Sequence, residues 1–106
     1  MKRFHISISV TDFPASVAEY SKRLGVSPCT VAEGRYALWC TDLLNFSISC
    51  KPDQKAGMVR HIGFEDDAEK VFREEKDVNG ITWEYFSFEV QQEEIKEKFP
   101  AVKVVE

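Results

Sequence analysis

The run Phe4-His5-Ile6-Ser7-Ile8-Ser9-Val10-Thr11-Asp12-Phe13-Pro14 sets the pattern on which the rest of the chain builds. Phe4, Ile6, Ile8 and Val10 alternate with His5, Ser7 and Ser9, and Arg3 precedes them on the polar side. Period-two alternation with β-branched residues predicts a strand with one apolar and one polar face. Thr11-Asp12 then offers capping side chains, and Pro14 suits a first helical turn. Phe13, Val17, Tyr20 and Leu24 recur at helical spacing before Gly25, so a helix follows the strand.

Downstream, residues 29–32, 36–40 and 45–50 read as three short strands, the first two joined by a Glu33-Gly34-Arg35 turn. In the third, Phe46 and Ile48 face one way and Asn45, Ser47 and Ser49 the other. Residues 1–50 thus form a β-α-β-β-β module. Pro52, Asp53 and Gly57 mark 51–57 as a linker. Residues 58–65 then repeat the opening: His5-Ile6-Ser7-Ile8 is echoed by His61-Ile62-Gly63-Phe64. Each histidine shares its face with a small residue and precedes an acidic cap. A second helix is expected from Asp66-Asp67 to Lys76, on a thin stripe of Ala68, Val71 and Phe72. A strand over 81–90 places Thr82, Glu84, Phe86, Phe88 and Val90 on one face. A helix over 91–99 ends at Pro100, and a last strand covers 102–105. The fold class expected is α+β: paired β-α-β-β-β modules forming a curved mixed sheet around a cavity, the second module (58–106) shortened.

At 106 residues and 12.2 kDa the chain has the length of one domain, 1–106. An apolar share of 43% supplies a core. A net charge of −4 without a basic run argues against nucleic acid as partner. No stretch approaches the ~18 apolar residues of a membrane span, and the alternating start is unlike a signal peptide. Cys29, Cys40 and Cys50, odd in number and not closely spaced, fit reduced thiols in a cytoplasmic protein and read as small strand or core residues.

The two histidines sit on the less apolar faces of strands that lead into helices. Taken singly, each reads as a hydrogen-bonded core or surface residue. Taken as a pair on equivalent strands, they can aim at one point, where a carboxylate would complete a 2-His-1-carboxylate triad with open positions. Glu84 is that candidate, because a charge on an apolar strand face needs a partner or a metal. The other reading puts it on a solvated strand start.

These pieces, in this order, resemble the vicinal oxygen chelate superfamily, the glyoxalase/bleomycin-resistance/dioxygenase fold. The likeness rests on residues 5–13 with Ser16 and Tyr20, on Tyr36-Ala37-Leu38-Trp39, and on Leu44-Asn45-Phe46-Ser47-Ile48. Arg60-His61-Ile62-Gly63-Phe64 and Asp77-Val78-Asn79-Gly80-Ile81-Thr82-Trp83-Glu84 extend it. The second of these is similar to the family's D-P-x-G-x-x-W-E ending, whose glutamate binds metal. The resemblance implies His5, His61 and Glu84 as ligands of a divalent ion (Fe, Mn, Zn or Ni), and Ser7, Asn45, Ser47 and Ser49 as substrate-binding lining. No general base is identifiable beyond the ligands. The nearest subgroup comprises cadmium-induced and carbon–arsenic lyase-like members. The adjacent cysteine pair that those lyases use in the second module is missing here, so their reaction is not carried over. The acidic ligand that glyoxalases carry on the strand at 45–50 is missing too, which argues against methylglyoxal chemistry.

Only twenty-three positions separate His61 from Glu84, where the family fits two more strands. If those strands are absent, the Glu84 strand pairs beside the His61 strand and the triad forms. If 81–90 takes the vacant outer place, Glu84 lies far away. Three functions stay open: a metal-dependent dioxygenase or lyase chelating vicinal oxygens of a small molecule; a metal-free, resistance-type binding protein using Trp39, Trp83 or Tyr85; and a relic whose role is association. Small members usually dimerise, so the resemblance also implies a homodimer.

Overall fold

A computed structural model describes residues 2–104 of the chain. The fold is α+β, one mixed sheet of eight strands with two helices. The strands are β1 (Lys2–Val10), β2 (Thr30–Ala32), β3 (Tyr36–Cys40), β4 (Leu44–Cys50), β5 (Val59–Asp66), β6 (Arg73–Lys76), β7 (Thr82–Phe86) and β8 (Lys103–Val104). Helix α1 is Phe13–Leu24 and α2 is Phe88–Lys98. Spatial order is β6-β7-β5-β1-β4-β3-β2-β8. The two central strands, β1 and β5, run antiparallel to each other. Each has a parallel neighbour on its far side, β4 for β1 and β7 for β5.

Helix α1 begins where the sequence places it. Asp12 accepts a hydrogen bond from the Ala15 amide, Pro14 sits in the first turn, and Gly25 ends the helix in the left-handed region at φ 73°. Its apolar stripe packs Phe13, Val17, Tyr20 and Leu24 onto Val10, Trp39 and Ile48. The Trp39 indole is fully buried and donates to Ser21 Oγ. A second core joins Ala32, Tyr36 and Leu38 to Ile95 of α2.

The polar face of β1 is the more buried one. His5, Ser7 and Ser9 are buried, whereas Phe4, Ile6 and Ile8 are half-exposed. The polar face lines a cavity to which α2 contributes Gln91, Glu94, Ile95 and Lys98. On the opposite face, Phe4, Phe64 and Trp83 form an aromatic row with ring centroids 5.5 and 6.3 Å apart.

Several expectations are corrected. The helix expected over 66–76 does not form. Asp66 ends β5 and caps a turn through the Ala68 amide, and 73–76 becomes the edge strand β6, paired with β7. The apolar stripe there is too thin to anchor a helix, and four exposed charged residues make a solvated edge that resists further pairing. The strand expected over 81–90 stops at Phe86, because Ser87 accepts from the Val90 amide and starts α2 three residues ahead of the expected 91–99. Alternation of Phe86, Phe88 and Val90 imitates a strand across that boundary. The strand expected over 29–32 begins at Thr30. Of the strand expected over 102–105, only Lys103–Val104 is observed, and Val105 lies outside the described residues.

Candidate metal centre

One row across four strands organises the site. In register, Glu84 on β7 faces Gly63 on β5, Gly63 faces His5 on β1, and His5 faces Asn45 on β4. Gly63 adds no side chain to the middle of the row. A Cβ built there would meet the Glu84 carbonyl oxygen at 1.8 Å, so only glycine lets β7 pair this closely with β5. His61, two residues before Gly63, projects from the same face. Glu84 thus lies on the strand beside that of His61, the first of the two outcomes that the spacing left open.

The three side chains meet. His61 Nε2 lies 3.1 Å from Glu84 Oε1 and His5 Nε2 lies 4.0 Å from the same oxygen. The imidazole rings stack at 4.9 Å between centroids. One potential ligand atom from each residue falls within 4.8 Å of the others. Among the described residues this is the one group of three or more His, Cys, Asp or Glu side chains arranged in this way.

His5 is held in one tautomer. Asn45 Nδ2 donates to Glu65 Oε1 and to Gln91 Oε1, both at 2.8 Å, which fixes Asn45 Oδ1 as an acceptor. His5 Nδ1 lies 2.9 Å from that oxygen and 3.1 Å from the Asn45 carbonyl oxygen, so Nδ1 carries the proton. Nε2 is left with a lone pair toward Glu84 and His61. Arg3 grips Glu65 with Nε and Nη2 at 2.9 Å each, anchoring the network from behind.

Burial dominates the electrostatics. It pulls the His5 imidazole below its ordinary value, against the hydrogen bonds that His5 donates to Asn45. Burial first, then His5, Arg60 and Lys98, pulls His61 down to about 3. Burial, then Glu74 and Glu94, pushes the Glu84 carboxyl up to about 7, opposed by Lys98 and Arg60. Without a metal, His61 and Glu84 are thus both uncharged between about pH 3 and 7, where their contact is a hydrogen bond from a protonated carboxyl rather than an ion pair.

The cavity in front of the trio holds about 210 Å³. Ser7, Ser47 and Ser49 border it, whereas Asn45 does not. Asn45 is fully buried behind His5, its amide committed to His5, Glu65 and Gln91, and so acts as a positioning residue. Ser7 Oγ is buried with no hydrogen-bond partner. Sequence reasoning missed Lys51, Arg60, Gln91, Glu94 and Lys98. Tyr36, at the start of the strand 36–40, is a buried wall residue stacked on Phe99. The helix at 91–99 was legible, but no local signal tells over which face of the sheet it folds.

No protein-family model matches the chain, and no curated protein matches it. Among the described residues no helix is long and apolar enough to cross a membrane.

Proposed function

We propose that the chain is a small divalent-metal-dependent dioxygenase or lyase of the vicinal oxygen chelate type, acting on a small molecule through two neighbouring oxygens. The observation that carries this reading is the convergence of His5, His61 and Glu84, from three different strands, on one wall of a cavity. His61 Nε2 and Glu84 Oε1, 3.1 Å apart, stand at the roughly 3–3.5 Å spacing of donors sharing one ion at bond lengths of about 2.0–2.2 Å, and His5 Nε2, 4.0 Å from that oxygen, would move in to join them. Two imidazoles and one carboxylate suit Fe(II), Mn(II), Zn(II) or Ni(II). The strand order lends support to a two-module sheet, since each histidine strand has a parallel neighbour.

When bound, such an ion supplies a Lewis acid with open positions toward the cavity. The chain does the rest. Asn45 holds the His5 Nδ1 proton so that Nε2 is free to bind. Phe86, edge-on to His5 at 5.0 Å and stacked with Phe72, keeps water from one side of the site. Ser7 Oγ stands ready to hydrogen-bond a ligand oxygen. Lys51, Arg60 and Lys98 border the cavity of a chain whose net charge is −4, which favours a small anionic ligand. The volume lies below the about 300–1,000 Å³ of drug-sized sites, in keeping with a metabolite-sized molecule.

Metal analysis tests the proposal. About one divalent ion per chain is expected, lost in His61→Ala. Protein that is purified metal-free and takes up none of Fe, Mn, Ni or Zn would sink it.

A metal-free binding protein of the same fold is the second reading, favoured by the 3.1 Å His61–Glu84 hydrogen bond, which satisfies both groups without an ion. It requires ligand-induced thermal stabilisation that a chelator leaves unchanged. The homodimer stays part of both readings, with the aromatic row Phe4, Phe64 and Trp83 as the face a second copy would cover. Sedimentation as a monomer at tens of micromolar would remove it.

A further inference from the structure

Away from the cavity, two thiols that stand eleven residues apart in sequence touch. Cys29 lies just before β2 and Cys40 closes β3, and their Sγ atoms are 3.2 Å apart. The Cys29 amide donates to the Leu38 carbonyl at 2.8 Å, so the sheet itself fixes the approach. Both cysteines are free and half-buried. A disulfide needs a sulfur separation of about 2.05 Å, so closing this pair brings the two sulfurs about 1 Å nearer.

The surroundings make the two sulfurs unequal. The close contact with Cys40 Sγ, with further help from Thr30 and the Arg3 guanidinium, brings Cys29 down to about 7. Cys40 is pushed up, first by the same contact and then by burial. One sulfur is poised as a nucleophile, and the other keeps its proton. Cys50, half-buried on β4 with its thiol toward the Thr11 carbonyl, has no second sulfur beside it among the described residues.

We propose that Cys29 and Cys40 form a peroxide-reactive dithiol that closes reversibly to an intramolecular disulfide. The Cys29 thiolate attacks one oxygen of hydrogen peroxide. The O–O bond breaks, an S–O bond forms, and the departing hydroxide takes a proton to leave as water. The resulting Cys29 sulfenic acid is attacked by Cys40 sulfur, whose proton leaves with the sulfenic oxygen as a second water while the S–S bond forms. Peroxide gains two electrons and the sulfur pair loses two. This site is independent of any metal at His5, His61 and Glu84.

The test treats the reduced full chain with hydrogen peroxide near pH 7, then counts alkylatable thiols and weighs the intact protein. The expected result is the loss of two hydrogens' mass, a single remaining alkylatable thiol at Cys50, and recovery of all three with dithiothreitol. Cys29→Ser should lower the rate of peroxide consumption on the order of tenfold. Cys40→Ser should leave Cys29 carrying added oxygen in place of a disulfide. Three thiols still alkylatable after treatment, a disulfide that includes Cys50, or first oxidation at Cys50 would each overturn the proposal. The wild-type thiol count decides the matter even if a serine variant folds poorly.

Discussion

Between β1 and its parallel neighbour β4 the chain winds a twelve-residue helix and two strands, whereas between β5 and its parallel neighbour β7 it makes a short loop and one edge strand. The first half therefore owns a covered outer face, with Trp39 and Ile48 fully buried under α1. The second half leaves Phe64 and Trp83 partly exposed. Yet the candidate site draws His5 from the first half and His61 and Glu84 from the second. The paired strands, Gly63 and the Asn45 network aim these groups, and the trio forms although only the first half carries a helix over its outer face.

Paired substitutions put a scale on that difference. Trp39→Ala should cost about 3–5 kcal/mol, as expected for a large aromatic removed from a closed core. Trp83→Ala should cost about 1 kcal/mol, chiefly its hydrogen bond to Asp77. Thermal or denaturant unfolding of the two variants reads this contrast directly, and equal losses would erase the distinction between the halves. Gly63→Ala comes next, at about 3 kcal/mol, because its Cβ collides with the Glu84 carbonyl oxygen. It should also abolish metal uptake. Retention of both stability and uptake would mean that β7 does not depend on close approach to β5.

Asn45→Ala removes the partner of His5, Glu65 and Gln91 together. We expect a loss of about 2 kcal/mol and a fall of about 10–100-fold in metal affinity, measured by competition with a chromogenic chelator. The smallest effect concerns pH. Glu84 titrates at about 7 in the fold against an ordinary 4.5, so the stability it contributes is lost as pH rises from 4.5 through about 7. His61 titrates at about 3 against 6.5, and its contribution is lost as pH falls from 6.5 toward 3. The contribution of this pair to the metal-free protein should be flat between about pH 4.5 and 6.5 and decline on either side. Metal binding displaces the Glu84 proton, so affinity should drop about tenfold per unit below pH ~7, a dependence that Glu84→Gln removes. Calorimetric titration at several pH values checks both signs.

The first half was largely legible because each of its elements carries its own local signal. Asp12, Pro14 and Gly25 bound α1, and alternation marks β1 and β4. The second half misled twice. Asp66-Asp67 looks like a helix cap but serves a turn, and the alternation over 81–90 runs on past Ser87, where the strand has already given way to α2. In both places short-range pattern is weak, and pairing with β7 or packing over the sheet decides the outcome. The residues His5, His61 and Glu84 were visible as a paired motif, while Asn45 had the right position but a different duty. The contact between Cys29 and Cys40 left no trace in their spacing.

By itself the sequence determined which residues alternate, which cap and which repeat, because those depend on neighbours a few positions apart. It thus named the two histidines and the carboxylate. Tertiary structure alone decided that the polar face of β1 is the inside and that α2 walls the cavity. It also decided that β7 lies beside β5, and that two distant thiols touch. Each of those outcomes depends on which surfaces exclude water against one another across the folded chain, a property no local window contains.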